Sequence, residues 1–227
     1  IERGASFAEV ENFYDENMSL IRIKLNPAIS PAANAQKYYK DYQKAKNAEH
    51  ILTEQIEKGR SELEYIDSVL DTVSRAESER ELAQIREELT EQGYLRKQKG
   101  KQRPQAALPP LEFTSSDGFK ILVGRNNTQN DKLTLKIANK NDMWLHTKDI
   151  HGSHTVVFAE GREISDTAIL EAAQLAAYYS KARESSQVPV DYTLVRYVSK
   201  PSGARPGMVI YVNNKTVYVT PKANISE

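Results

Sequence analysis

The feature that most limits how this chain can fold is a long series of residues spaced alternately four and three positions apart. Its members are Tyr38, Tyr42, Ala45, Glu49, Leu52, Ile56, Gly59, Leu63, Ile66, Leu70 and Val73. Only Glu49 and Gly59 interrupt its apolar character. This spacing places one stripe of side chains along an α-helix, and about five heptads of it are typical of a coiled coil. The sequence therefore predicts a long helix whose stripe needs a packing partner.

Residue types that favour helix ends stand on either side of this series. Ser30 is a suitable N-cap, and Pro31 suits the first helical position. Further on, Ser78 and Glu81 have the spacing of a capping box, and Gly93 predicts the end of a second, shorter helix. We expect an antiparallel hairpin of unequal helices, in which the longer arm extends past the shorter one and needs another partner.

The rest of the chain predicts an α+β domain with a mostly antiparallel sheet. Strands are expected in 111–126, 142–158, 190–198 and 207–219, and a short strand is expected before the hairpin, in 19–27. The predicted helices begin at Asn130 and after the N-cap Ser165. A tight turn at Asn213 and Asn214 predicts a β-hairpin.

The predicted fold class is therefore α+β, with a long antiparallel helical coiled-coil hairpin followed by a mixed, mostly antiparallel α+β domain. We divide the chain into the end of a preceding domain with a connecting strand (1–30), the coiled-coil hairpin (31–94), a basic proline-containing linker (95–110) and the α+β domain (111–227). The linker has five basic residues, no acidic ones and three prolines. It is either a solvated tether or a strap for nucleic-acid phosphates.

Charge is divided unequally along the chain. The 31 basic and 31 acidic side chains cancel overall, but residues 1–94 carry 12 basic and 19 acidic ones, whereas residues 95–227 carry 19 and 12. This division favours a polyanionic partner for the second half, although solvated surfaces can segregate charge by chance. The absence of cysteine excludes disulfides and thiol-based metal or redox sites. No stretch predicts membrane insertion, and the start of the sequence reads as an internal fragment.

Three of the four histidines, and the single tryptophan, lie in "DMWLHTKDIHGSHTVV". A metal site would need His146, His151 and His154 to converge on one point. A hairpin centred on residues 150–151 pairs His146 with Thr155 and places His146 and His154 on opposite faces, although a shift of one residue would reverse this. No metal-binding motif supports such a site, and we predict no metal and no cofactor.

Hydrolysis by a serine nucleophile is also disfavoured. Ser153 and His154 are neighbours, and adjacent residues of a strand point to opposite faces. The chain has no GxSxG motif. We therefore expect that the protein is not an enzyme.

Recognition of RNA fits the same stretch better. Trp144, His146 and Lys148 share one face of the predicted strand, and they combine an aromatic ring, an imidazole and a cation. Stacking together with charge is the chemistry that single-stranded or looped RNA requires. The alternative is that Trp144 is a residue of the core.

Two further turns carry cations among residues that favour turns. "GRNNTQND" places Arg125 beside a run of amide side chains just before a predicted helix, and "SKPSGARPGM" carries Lys200 and Arg205 among two glycines and two prolines. Both turns suit phosphate binding. Each alone is also compatible with an ordinary loop.

These motifs resemble a known family. "GRNNTQND", "DMWLHTKDIHGSHTVV" and "KPSGARPGMV" are similar in order and separation to the NFACT-R domain, and "LNPAISPAANAQKYYKDYQKAK" with its heptads resembles the coiled-coil middle segment of the same RqcH/NEMF (NFACT) family. Matching positions are Asp142, Trp144, His146, Gly152, Ser153 and His154, with Arg125, Asn126 and Asn127 in the first turn. His151 departs from the family pattern, which has proline there.

The resemblance implies a role in ribosome-associated quality control. It implies binding of the large ribosomal subunit with peptidyl-tRNA, recruitment of tRNA, and support for C-terminal alanine tailing of stalled chains, with the peptide bond made by the ribosome in the cytoplasm. The candidate RNA-binding residues are Arg125, Asn126, Asn127, Trp144, His146, Lys148, Ser153, His154, Lys200 and Arg205. The family's N-terminal domain is expected to lie outside this chain.

The same family implies a second possibility. Some bacterial members are described as fibronectin/fibrinogen-binding proteins, which implies a surface adhesin with host fibronectin or fibrinogen as its partner. An exposed coiled coil and a basic domain would suit such binding, although the sequence carries no recognisable export signal.

Overall fold

The computed structural model describes residues 1–96 and 107–223. Most of the predicted linker, residues 97–106, therefore lies outside the described residues. The described chain divides into two compact units, Ile1–Ser61 and Glu62–Glu227. Among the described residues, no helix combines the length and the apolar character that crossing a membrane requires.

The first unit contains a two-stranded antiparallel ribbon. Strand β1 (Phe7–Glu11) pairs with β2 (Leu20–Lys24). The sequence predicted β2 and missed β1. Helix α1 (Pro31–Arg75) begins where its capping signals place it, since the Ser30 hydroxyl accepts a hydrogen bond from the Ala33 N–H at 3.1 Å.

The second helix, α2 (Glu79–Glu91), has the predicted capping box at Ser78 and Glu81. It packs on the last turns of α1 through a small buried cluster of Tyr65, Val69 and Ile85. The predicted order of helices, a long one followed by a short one, is confirmed. A long coiled coil is not confirmed, because most of the apolar stripe of α1 is exposed. More than half of the residue surface is exposed at Tyr42, Leu52, Ile56 and Leu63.

The second unit is built on a six-stranded sheet. Its strands are β3 (Leu111–Thr114), β4 (Lys120–Val123), β5 (Met143–Thr147), β6 (Thr155–Val157), β7 (Val188–Leu194) and β10 (Lys215–Val219). They lie in the spatial order β10-β7-β5-β6-β4-β3, and all neighbours are antiparallel. The short strands β8 (Val198–Ser199) and β9 (Ile210–Tyr211) form a separate pair. The prediction of an α+β domain with a mostly antiparallel sheet is confirmed.

Each face of this sheet has its own apolar core. Helix α4 (Asp166–Tyr178), capped by Ser165 as predicted, covers one face with a row of buried alanines. The other face holds Trp144, with Leu133 and Val198 packed around it. Side chains alternate between the two faces along every strand. Because both faces are covered at the centre of the sheet, β4, β5 and β6 are largely buried on both, whereas alternate side chains of the edge strands β3 and β10 are exposed.

Two local predictions are wrong. Helix α3 (Asn127–Lys132) starts three residues before the predicted start, because Asn126 serves as its N-cap and accepts a hydrogen bond from the Gln129 N–H at 2.8 Å. The turn at Asn213 does not close a hairpin, since β9 pairs with β8 and β10 pairs with β7. Asn213 has a φ of 54°, so the turn signal was correct but the pairing inferred from it was not.

Helix α3 continues into a π-helical turn at Leu133–Ile137. The Ala138 N–H donates to the carbonyl of Leu133, five residues back, at 2.9 Å. This turn fixes which side chains of the segment face the sheet. Leu133 is fully buried there, whereas Leu135 and Lys136 remain exposed.

Candidate nucleic-acid interface

The register of β5 and β6 decides how the histidine-rich stretch is arranged. Trp144 lies opposite Val156, and Leu145 lies opposite Thr155. The predicted pairing of His146 with Thr155 is therefore wrong by one residue. In the observed register, the side chains of Trp144, His146 and His154 lie on the same face of the sheet.

These three side chains form an aromatic cluster in which Trp144 and His154 are buried and His146 is half-buried. The Trp144 ring is fully buried, lies nearly parallel to the His146 ring at 5.8 Å between centroids, and meets the His154 ring edge-on at 5.2 Å. Tyr211 adds a fourth ring 4.8 Å from Trp144. Trp144 therefore belongs to the core, and in this structure it offers no face on which an RNA base could stack.

The two histidines are neutral members of this cluster at physiological pH. Burial is the main cause of a lowered pKa at both, to about 4 for His146 and about 3 for His154. The Nδ1 atom of His154 lies 2.8 Å from the hydroxyl of Thr134. The described part of the chain contains no group of three or more histidine or carboxylate side chains that could hold a metal ion.

The remaining predicted residues of this stretch lie apart from one another. Ser153 is almost fully buried, and its hydroxyl accepts a hydrogen bond from Arg75 of α1 at 3.3 Å. Lys148 follows the end of β5 and is exposed. Of the predicted residues in this stretch, Lys148 is the one that presents a charge to solvent.

The first basic turn faces α2 instead of solvent. The Arg125 guanidinium forms an ion pair with Glu81 at 2.5 Å and donates to the carbonyl of Pro109 at 2.9 Å. Burial acts to raise the pKa of Glu81, but hydrogen bonds from the Glu77 backbone and from Arg125 hold it below its usual value. This arginine is therefore already paired with a carboxylate.

The amide residues of the same turn also face the helices. Asn126 is buried and caps α3, and the Asn127 side chain donates to the Ser68 hydroxyl at 2.8 Å. At the next position, the backbone N–H and the hydroxyl of Thr128 both donate to Glu88, at 2.9 and 3.0 Å. The start of α3 is thus joined to α1 and α2 by side-chain hydrogen bonds.

The second basic turn folds back on the first. Lys200 forms an ion pair with Asp131, whose other oxygen accepts the Gly207 N–H at 3.0 Å. Arg205 donates to the side-chain oxygen of Gln92 at 3.1 Å, and its guanidinium lies 5.3 Å from the ring centroid of Tyr94. Both cations are therefore engaged with groups of the same chain.

The turns that carry the predicted phosphate-binding cations thus converge on the helices. Together with Ser153 they connect the α+β domain to the end of α1 and to α2. The pairing of the cations with carboxylates and ring faces explains why only Lys148 of the predicted residues is fully available to an outside ligand.

Comparisons with known proteins agree with these motifs. Residues 1–107 match the model of the NFACT N-terminal and middle domains, and residues 110–213 match the model of the NFACT protein RNA binding domain. The chain is 48% identical over 227 residues to a protein named Rqc2 homolog RqcH from Bacillus subtilis, covering 99% of this chain and 39% of that one. A protein of the same name from Streptococcus suis is 43% identical over 217 residues, covering 95% and 38%.

A solved structure shares the fold as well. The C-terminal part of the fibronectin/fibrinogen-binding protein from Streptococcus suis superposes with a TM-score of 0.79 at 44% identity, covering 85% of this chain and 77% of the other. The chain belongs to the NFACT family. It spans about two fifths of the length of the curated relatives that it matches.

Within the NFACT RNA-binding domain, the glycines of the motifs have a steric role. A side chain at Gly124 would place its Cβ 2.0 Å from the Asn130 side-chain oxygen. At Gly207, where φ is +79°, the Cβ would lie 2.6 Å from the side-chain oxygen of Asn127. These NFACT motif positions therefore allow the turns to approach each other closely.

Sequence reasoning missed the acceptors that hold the motifs. Glu88 is 3% exposed and also accepts a hydrogen bond from the Tyr65 hydroxyl at 3.0 Å. Asp131 bridges Lys200 and Gly207. The available signal was the position of Glu88 three residues after Ile85, on the apolar side of α2, where a carboxylate needs buried donors.

Proposed function

We propose that this chain is the part of a ribosome-associated quality control factor that contacts RNA on the large ribosomal subunit. In this proposal the subunit carries peptidyl-tRNA, and the protein recruits tRNA and supports alanine tailing of the stalled chain. The chain acts as a recruiter, and the ribosome forms the peptide bonds. The work takes place in the cytoplasm, where the ribosomes are.

The match of residues 110–213 to an RNA-binding domain is the observation that carries this proposal. It coincides with the basic half of the sequence, in which residues 95–227 have 19 basic and 12 acidic side chains. A basic domain attracts the phosphate backbone of RNA over a distance, and this attraction weakens with salt. The name shared by the curated relatives, Rqc2 homolog RqcH, supports the same pathway.

Co-sedimentation tests the proposal directly. The 227-residue chain is centrifuged with large ribosomal subunits that carry peptidyl-tRNA, over a series of salt concentrations. We expect binding that weakens as salt rises and that exceeds binding to empty subunits. Equal recovery of the chain with and without subunits at low salt would contradict the proposal.

Alanine variants of Arg125 and Lys200 test whether these two cations contact RNA, but they need an added control. Because both cations form ion pairs within the chain, Arg125→Ala and Lys200→Ala can weaken RNA binding by loosening the fold. Melting temperatures are therefore measured for the same samples. A loss of binding at an unchanged melting temperature would identify a direct phosphate contact.

Binding of host matrix protein is a second candidate, favoured by the fibronectin/fibrinogen-binding protein of similar structure. This alternative places the chain at the cell surface. It predicts that immobilised fibronectin or fibrinogen captures the chain equally well before and after nuclease treatment. Capture that disappears with nuclease would instead reflect RNA bridging.

A further inference from the structure

The motif cations Arg125, Lys200 and Arg205 are engaged by groups of the same chain, whereas other cations of the domain are exposed and form no ion pair among the described residues. Four lie together on the side of the sheet that carries Trp144, namely Lys132, Lys136, Lys140 and Arg196. All four are exposed, and none forms an ion pair with a carboxylate of the described residues. We name this set the basic ridge.

Local structure brings the members of the ridge together. Lys132 ends α3 and Lys136 lies in the π-helical turn, four positions later, so both side chains project from the same side of the helix. Lys140 follows in the next turn. The Arg196 backbone N–H donates to the Lys140 carbonyl at 3.3 Å, and its guanidinium donates to the side chain of Asn141 at 2.8 Å.

The ridge has no acidic residue within it. No aspartate or glutamate occurs from 132 to 141 in the sequence. The two acidic residues that flank this range are already engaged, since Asp131 pairs with Lys200 and the buried Asp142 accepts the backbone N–H groups of Asn139 and Ala159 at 2.7 and 3.0 Å. The charge of the ridge is therefore uncompensated within this segment.

An aromatic side chain and a groove adjoin the ridge. Tyr197 is partly exposed, with the Arg196 guanidinium 5.8 Å from its ring centroid. Arg196 also lines a groove of about 560 Å³, together with apolar residues such as Met143 and Leu194 and the charged Arg162 and Glu163. Cations next to an exposed ring and a groove with some apolar lining suit a nucleotide chain, because phosphates and bases need these two surfaces side by side.

We propose that the basic ridge is the surface through which this domain contacts the phosphate backbone of single-stranded or looped RNA. This inference rests on the proposed function and assigns it to residues outside the family motifs. Like charges four residues apart on a helix repel each other. The helix dipole offsets this repulsion at Lys132 and Lys136, which lie in the last turns of their helical segments, but not at Lys140 or Arg196. A bound polyanion compensates all four.

A matched pair of triple variants tests the ridge. One variant carries Lys132→Gln, Lys136→Gln and Lys140→Gln. The control carries Lys181→Gln, Lys215→Gln and Lys222→Gln, which remove the same charge from exposed lysines on the α4 side of the sheet. Binding of a fluorescent RNA oligonucleotide and of deacylated tRNA is measured by anisotropy from about 50 to 200 mM salt.

We expect the ridge variant to bind RNA at least tenfold more weakly than the unaltered chain at the lowest salt. Its slope of log affinity against log salt should fall by about two to three units, because each lost phosphate contact removes about 0.7 to 0.9. The control variant should keep most of its affinity, and all three proteins should melt at similar temperatures.

The outcomes separate this inference from the proposed function. If the unaltered chain binds RNA and the ridge variant binds with the same affinity and slope, the inference is overturned and the proposed function stands. An equal loss in both triple variants would also overturn it, because net charge alone would then explain binding. If the unaltered chain fails to bind RNA or subunits at low salt, both fail.

Discussion

Thr128 at the start of α3 donates two hydrogen bonds to the carboxylate of Glu88 in α2, one from the Thr128 backbone N–H and one from the Thr128 hydroxyl. The other oxygen of the same carboxylate accepts the hydroxyl of Tyr65 in α1. One buried side chain therefore links α1 and α2 to the RNA-binding domain. The hydrogen bonds of Glu88 are directional, so they fix the orientation of α2 on the domain more closely than apolar packing alone would.

Replacement of Glu88 tests this link. Glu88→Ala leaves the Tyr65 hydroxyl and the Thr128 N–H without their acceptor in a buried site, and we expect the free energy of unfolding to fall by about 3 kcal/mol. Glu88→Gln keeps one acceptor oxygen for Thr128 and should cost about 1 kcal/mol. Chemical denaturation measures both, with the exposed neighbour Glu87→Ala as control. Similar losses in Glu88→Ala and Glu87→Ala would refute the role of Glu88.

Two glycines of one turn form a second matched pair. Gly203 and Gly207 have φ of +77° and +79°, but a Cβ meets nothing within 4 Å at Gly203, whereas at Gly207 it would lie 2.6 Å from the side chain of Asn127. Gly203→Ala should therefore cost about 1 kcal/mol for backbone conformation alone. Gly207→Ala should cost about 2 kcal/mol more, since it must also displace Asn127 from Ser68.

Thermal or chemical denaturation of both glycine variants provides the comparison. The difference between them isolates the close approach of the two motif turns. Equal destabilisation by the two substitutions would show that the Asn127 side chain moves aside at no cost in stability. The contact between the two turns would then not be tight in solution.

The lowered pKa values of the half-buried His146 and the buried His154 predict how stability depends on pH. Because the pKa values of His146 and His154 are lowered to about 4 and 3, their contribution to stability is fully present above the ordinary histidine pKa of about 6.5. It is lost as pH falls through that value towards the folded pKa values. Each histidine should lower the free energy of unfolding by up to about 1.4 kcal/mol per pH unit as the pH falls from roughly 6 to 4. Lys200 near His154 acts in the same direction as burial, whereas Asp191 near His146 opposes it.

The measurement is the free energy of unfolding from pH 7 to pH 5, for the unaltered chain and for His146→Gln and His154→Gln. Each substitution should reduce the slope by about one proton, whatever it does to stability at pH 7. The control is His50→Gln, which removes a histidine whose side chain is largely exposed. A slope that responds to neither His146→Gln nor His154→Gln would contradict the lowered pKa values.

Substitution of Trp144 distinguishes core packing from RNA contact. Because the ring is fully buried, Trp144→Ala should lower the free energy of unfolding by about 3–5 kcal/mol. Among the described residues the indole N–H has no acceptor, so Trp144→Phe loses volume but no hydrogen bond and should cost clearly less. The RNA affinity of the folded Trp144→Phe protein should equal that of the unaltered chain. A loss of RNA affinity without a matching loss of stability would instead support the expectation that RNA bases stack on Trp144.

Much of the fold was predictable because local signals determined it. The caps at Ser30, Ser78 and Ser165 each satisfy helix N–H groups from within a few residues, and they placed three helix starts correctly. The register of β5 and β6 was not predictable, since it depends on which face the neighbouring strands bury. A difference of one residue moved His146 and His154 from opposite faces to the same one.

The motif turns were located correctly, but their contacts were not predictable from the sequence. Arg125 and Lys200 are residue types that bind phosphate or carboxylate equally well. Their partners Glu81 and Asp131 are brought close by the fold, and Glu81 is 44 positions away in sequence. The basic ridge was not predictable from the sequence either. Lysines spaced along an amphipathic segment are typical of any solvated helix face.

The π-helical turn at Leu133–Ile137 makes this charged segment tolerant of a change in length. Such a turn accommodates in effect one residue more than an α-helix of the same rise. A chain one residue shorter here can therefore continue as a regular α-helix with its later side chains in place, whereas the same deletion in a helix without a wide turn rotates every later side chain by about 100°. Homologues that lose one residue within this turn would therefore keep their charge on one side of the helix.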